Sequence, residues 1–298
     1  MSGKLTGTGV ALVTPFTYDQ KVDYNGLAKL LEHTSSGGVD YFVIHGTTGE
    51  STSLTSTEKA AILKFIKENN DAKLPLIYGL GGNNTNNLLE DLKKVDFDGI
   101  TAILSVCPYY NKPSQEGIYQ HYTTFADQAP VPVILYNVPS RTSVNITAST
   151  TIRLAQHPNI GGIKESSGLI EQCLEISANK PHDFSLISGD DLMTIPLISI
   201  GGVGLISVLA NALPAAIKTM VRGALDNNYQ AASQAAFDLL SLNPLMYKES
   251  NPVGVKHALK VLGVCENYVR LPLVAASAAL QKEISEAMET LDLVKAGI

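Results

Sequence analysis

The sequence predicts an α/β fold, a (β/α)8 TIM barrel with a C-terminal helical appendage, and two patterns carry that prediction. Eight short β-rich runs recur, each trailed by a helical segment, within about the first 226 residues. Several of these runs are apolar on both alternating faces, as parallel strands buried between a barrel interior and covering helices must be. A doubly wound sheet is the nearest alternative, but no GxGxxG follows the first run.

In chain order the runs are GVALVT (9–14), YFVIH (41–45), PLIYG (75–79), GITAILSV (99–106), VPVILYN (131–137), IGGIKE (160–165), FSLISG (184–189) and GLISV (204–208). Amphipathic stretches between them read as helices, for example 23–36, 55–70 and 85–95. Asp23, Thr55 or Ser56, and Thr85 or Ser114 have the short polar side chains that cap helix N-termini. From Tyr229 onward three helical patterns follow with no strand between them. The expected organisation is therefore a catalytic barrel over 1–226 and a helical region over 227–298, the latter packed on the barrel and not an independent module.

Composition narrows the function classes. The 298 residues are 45% hydrophobic and 17% charged, with a net charge of −6. Lys and Arg are scattered, so no nucleic-acid surface is expected. Apolar stretches are interrupted before reaching the ~18 residues of a membrane span, and the N-terminus lacks the apolar core of a signal peptide. The three cysteines, Cys107, Cys173 and Cys265, are widely spaced, which suits a reducing cytoplasm better than a disulfide framework. The six histidines form no HxH or HExxH pair, so no metal site is expected.

In barrels of this kind the working residues lie at the C-terminal ends of strands. Those ends read HGTTGES (45–51), CPYYNKPS (107–114), LYNVPSRTS (135–143), IKESSG (163–168) and SGDD (188–191). Lys164 closes a run that should be buried, where an ammonium without a partner tends to lose its proton and become the nucleophile that carbonyl substrates need. Position alone leaves equally open a structural lysine paired to Glu165 or to a carboxylate on the next strand. The GTTGES turn offers consecutive amides at Thr47 and Thr48 that can hold a carboxylate, or it is simply a tight strand-to-helix turn. Tyr136 has the phenol of a proton shuttle or of an ordinary core tyrosine, and Arg141 the donor fork that suits a second carboxylate or a plain surface position. Tyr109 and Tyr110 share a loop where aromatics cap a pocket or meet a neighbouring subunit. GGVGLISV (201–208) and GLGGNNTNN (79–87) resemble anion-binding glycine loops, but neither carries a basic residue beside it.

Taken together, VTPF (13–16), GTTGES, YYNKPSQEG, LYNVPSRT, GIKESSG, SGDD, NPVGVK (251–256) and RLPL (270–273) resemble the pyruvate-dependent class I aldolase family that includes N-acetylneuraminate lyase. The resemblance runs along nearly the whole chain, and the order and spacing of the motifs make it specific. Thr47-Thr48 together with Arg141 resembles the branch that condenses pyruvate with L-aspartate-4-semialdehyde to give 4-hydroxy-tetrahydrodipicolinate in diaminopimelate and lysine biosynthesis. The alternative is a related aldolase acting on a sugar-derived 2-keto acid. The resemblance implies that Lys164 forms a Schiff base with pyruvate, whose carboxylate sits on the amides of Thr47 and Thr48. It implies that Tyr136 relays protons, that Thr47 links it to a Tyr110 supplied by a neighbouring subunit, and that Arg141 anchors the second substrate. The backbone at Gly189 and Ile206 would complete the pocket, no cofactor would be needed, and the chain would form a dimer or a tetramer of tight dimers.

The same resemblance places a lysine effector site at Ser51, Asn83 and Tyr109. Lysine-sensitive bacterial relatives are expected to carry histidines near Ser56 and Lys59 and an acid near Asn87. Their absence here predicts weak or absent feedback inhibition.

Overall fold

A computed structural model describes residues 5–291. The N-terminal MSGK and the end of the last predicted helix, 292–298, lie outside the described residues. Eight parallel strands close in sequence order into a barrel: β1 (Gly7–Ala11), β2 (Tyr41–Ile44), β3 (Leu76–Gly79), β4 (Ile100–Val106), β5 (Val133–Asn137), β6 (Ile160–Glu165), β7 (Ser185–Ser188) and β8 (Gly204–Ser207). The strands read as apolar runs because both their faces are covered. Tyr41, Val43, Ile77, Ala102, Leu104, Ile134, Ile187 and Ile206 fill the interior. Val10, Phe42, Ile44 and Leu205 belong to one outer cluster beneath the helices, and Ile103, Leu135, Ile163 and Leu186 to another.

The seam closes where β1 pairs with β8. A Cβ on Gly204 would lie 2.1 Å from the Gly7 carbonyl oxygen, so this glycine lets the two strands meet. That is what the glycine-rich 201–208 stretch does in the fold.

The first strand begins and ends earlier than the apolar run suggests. Beyond Ala11 the ladder is taken over by other partners: Leu12 N still donates to Val43 O at 3.0 Å, but Val13 N donates to the Asn211 side chain at 3.0 Å. Capping follows the sequence in three places. Asp23 accepts from Gly26 N, Thr55 forms a capping box with Glu58, and Ser114 accepts from Gly117 N. The helix Thr85–Leu92 differs, because Asn84 is its cap and the Thr85 hydroxyl is 2.9 Å from His121 Nδ1.

After β8 and the helix Pro214–Leu225, the helix Tyr229–Asp238 packs on its predecessor. A short 3-10 turn at Asn243–Met246 contains Pro244, and the helix Val253–Val261 is buried along its first seven residues. The last helix starts at Ala278, with Ser277 as its cap accepting from Leu280 N. Among the described residues no helix is long and apolar enough to cross a membrane.

Candidate active site

Strand parity decides what β5 and β6 present to the barrel. Tyr136 pairs with Lys164 and Asn137 with Glu165, so the first pair faces inward and the second outward. Lys164 is 5% exposed, with its Nζ 4.4 Å from the centre of the Tyr136 ring. Among the described residues neither Lys164 Nζ nor Tyr136 OH has a hydrogen-bond partner, and Lys164 has no ion pair. Neither Glu165 nor a carboxylate on the next strand pairs with Lys164 among the described residues. The Glu165 carboxylate is turned away and accepts from Asn137 Nδ2 at 3.0 Å, Gln172 Nε2 at 3.0 Å and Ser167 N at 2.6 Å.

Space beside the lysine comes from β7. A Cβ on Gly189 would lie 2.7 Å from Lys164 Cε and closer still to Ser166 Oγ, so only glycine leaves this side chain its path.

A cavity of about 470 Å³ opens above these groups at the C-terminal end of the barrel. Thr47, Thr48, Tyr136, Arg141, Lys164 and Gly189 all line it, together with Ser166 and Asp190. Thr47–Gly49 is one 3-10 turn closed by Gly49 N to Gly46 O and Glu50 N to Thr47 O. These bonds use the amides after Thr48 and leave those of Thr47 and Thr48 without an acceptor among the described residues. Arg141 stands in the short helix Pro139–Thr142, exposed at the cavity mouth and without a carboxylate partner among the described residues.

Five predicted residues stand elsewhere. Ile206 is fully buried in the barrel interior, and Val208, two residues further along, lines the cavity instead. Tyr110 is 88% exposed with a φ of 73°, and it does not reach the cavity of its own chain. Asn83 holds the same loop from the side, donating to Tyr109 O at 3.2 Å and accepting from Asn111 Nδ2 at 3.0 Å. Ser51 and Tyr109 line a second cavity of about 340 Å³ with His45, Lys59 and Asp91.

The burial of Cys107, Cys173 and Cys265 pushes each thiol up to about 12, so none is a thiolate nucleophile near neutral pH. Among the described residues no group of His, Cys, Asp or Glu side chains is arranged to hold a metal ion.

Sequence reasoning missed the C-terminal contribution. Asn243, Tyr247, Ser250 and Asn251 also line the cavity. Tyr247 OH is 3.4 Å from Asp191, a buried carboxyl whose affinity for its proton is raised by burial and which accepts from Ser207 Oγ and Val208 N. The signal was present in NPVGVK, where Lys256 lies in an apolar helix just as Lys164 lies in an apolar strand.

Barrel and site together define a lyase of the class I aldolase type, with a lysine, a tyrosine and two free amides converging at the C-terminal rim. The chain belongs to the dihydrodipicolinate synthetase family, whose sequence pattern matches residues 4–291. It is 50% identical over 281 residues to the 4-hydroxy-tetrahydrodipicolinate synthase of Cytophaga hutchinsonii, covering 94% of this chain and 95% of that one. The chloride-inhibited dihydrodipicolinate synthase of Acinetobacter baumannii, solved in complex with pyruvate, superposes with a TM-score of 0.93 at 36% identity. That match covers 97% of this chain and 99% of the other. The enzyme of Cyanidioschyzon merolae, solved with lysine bound, superposes at 0.92 with 37% identity, covering 97% of this chain and 98% of that one.

Proposed function

We propose that the chain condenses pyruvate with L-aspartate-4-semialdehyde to give 4-hydroxy-tetrahydrodipicolinate, in diaminopimelate and lysine biosynthesis in the cytoplasm. The observation that carries this reading is Lys164, buried beside Tyr136 and unpaired among the described residues, with amides and a guanidinium that are likewise without partners there lining the same cavity. The Lys164 amine adds to the pyruvate ketone and water leaves, giving a protonated imine that serves as the electron sink. A methyl proton is then lost to form the enamine, whose carbon attacks the aldehyde. The substrate amine closes the ring at the imine carbon and releases the Lys164 amine. Thr47 and Thr48 seat the pyruvate carboxylate, Gly189 and Val208 shape the pocket, and Arg141 holds the carboxylate of the semialdehyde.

Tyr136 carries protons between these steps, with Thr47 connecting it to a Tyr110 brought by a second subunit. The exposed, left-handed Tyr110 supports that assignment, since a large aromatic held out from its own chain suits an interface. The assembly is then at least a dimer, and a tetramer of tight dimers fits the same contact. No cofactor takes part in this scheme.

Ser51, Asn83 and Tyr109 border the second cavity or its loop as an effector site, but Lys59 lines it with a cationic head. We therefore assign weak or absent inhibition by L-lysine, and half-inhibition at low physiological lysine would overturn that assignment.

The substrate assignment is tested by comparing condensation with aspartate-4-semialdehyde against cleavage of N-acetylneuraminate. Condensation should dominate, and Arg141→Leu should weaken semialdehyde use on the order of a hundredfold. Preferential cleavage of the sugar acid would replace this reading with the sugar-acid aldolase.

A further inference from the structure

Three motifs without a role in the chemistry meet Glu50 in one buried cluster beside the Thr47–Gly49 turn. Lys256 is 0% exposed, with its Nζ 2.5 Å from Glu50 Oε1 and 2.7 Å from the Tyr268 carbonyl, and 4.2 Å from the centre of the Phe16 ring. The other Glu50 oxygen accepts from Arg270 N at 3.0 Å. Phe16, Glu50, Lys256 and Arg270 come from VTPF, GTTGES, NPVGVK and RLPL respectively. Glu50 is held at a φ of 51°, a left-handed backbone that a non-glycine residue keeps only when its surroundings enforce it.

One turn of chain earlier, Asn251 Nδ2 donates to Thr48 Oγ1 at 3.0 Å. The direction of that bond matters. Because the Thr48 hydroxyl accepts from Asn251, its own proton remains available to an anion in the cavity, alongside the free Thr48 amide. Segment 251–256 thus grips the turn at two points, at Thr48 through an amide and at Glu50 through a buried ion pair.

We infer that Asn251, Lys256 and Glu50 are positioning residues for the keto-acid carboxylate, the C-terminal segment clamping the Thr47–Thr48 amides into their anion-binding orientation. This rests on the carboxylate seat assigned under the proposed function. The 251–256 segment is therefore a working part of the site, although it never touches the reacting carbon.

The test compares steady-state kinetics of the full-length enzyme with those of Asn251→Ala, Lys256→Met and the double variant Glu50→Gln/Lys256→Met. Removing one partner of a buried ion pair strands the other, so Lys256→Met alone is the variant exposed to misfolding. The double variant and Asn251→Ala leave no stranded charge. A binding orientation lost before the transition state appears in KM and not in kcat. The KM for pyruvate should rise about tenfold in Asn251→Ala and in the double variant, with kcat and the KM for the second substrate changed by less than about threefold. The double variant should recover the stability lost by Lys256→Met without recovering pyruvate affinity. A pyruvate KM within about twofold of the parent in both variants would overturn the inference, as would stability and affinity returning together. Failure of the parent enzyme to trap pyruvate would instead reject the proposed function.

Discussion

Strands β5 and β6 carry two polar pairs one residue apart, and the pairs meet opposite fates. Outside the barrel, Asn137 and Glu165 are saturated: the carboxylate takes donors from Asn137, Gln172 and Ser167, while Asn137 Oδ1 accepts from Ile146 N at 2.9 Å. Inside, Tyr136 and Lys164 are equally buried but keep their polar ends free among the described residues. Burial without a partner is costly, so a fold that leaves such groups open at a cavity is reserving them for a ligand. On the proposed function, the outer pair contributes stability and the inner pair chemistry.

That contrast is sharpest if each pair is broken separately. Lys164→Met should lower condensation by about a thousandfold or more, since among the described residues no other amine lines the cavity, while the melting temperature holds or rises. Tyr136→Phe should cost about a hundredfold to a thousandfold in turnover and leave imine formation slow but detectable. Steady-state assays with thermal unfolding check both.

The outer pair should give the reverse pattern. In Glu165→Gln the new amide would face only donors, so unfolding should become easier by about 2–3 kcal/mol in urea titrations. The folded fraction should still form the imine. A large loss of turnover at unchanged stability would break the comparison.

The smallest effect concerns acid. Burial lowers His45 and His121 to about 4, below the ordinary 6.5, so the unfolded chain binds their protons first. Their stabilisation is complete above pH 6.5 and is lost as pH falls towards 4. His121→Asn should flatten unfolding free energy against pH across that window by on the order of 2 kcal/mol.

Much of this was legible in the sequence because periodicity and strand ends are local properties. Apolar runs marked all eight strands, and Lys164, Tyr136, Thr47, Thr48 and Arg141 were found simply by reading where those runs stop. What stayed hidden depended on distant partners. The end of β1 is set by Asn211, some two hundred residues away, and the cap at Asn84 competed with an equally plausible Thr85. The grip of Asn251 on Thr48 and of Lys256 on Glu50 spans a similar separation, so no local pattern announces it. Tyr110 is hidden in another sense, since its proposed partner belongs to a second copy of the chain.

The central claim is that Lys164 is the nucleophile, and borohydride reduction in the presence of pyruvate tests it most directly. The reduced adduct should map by peptide mass to Lys164 and vanish in Lys164→Met. An adduct on another lysine, or none with the parent enzyme, would contradict the account.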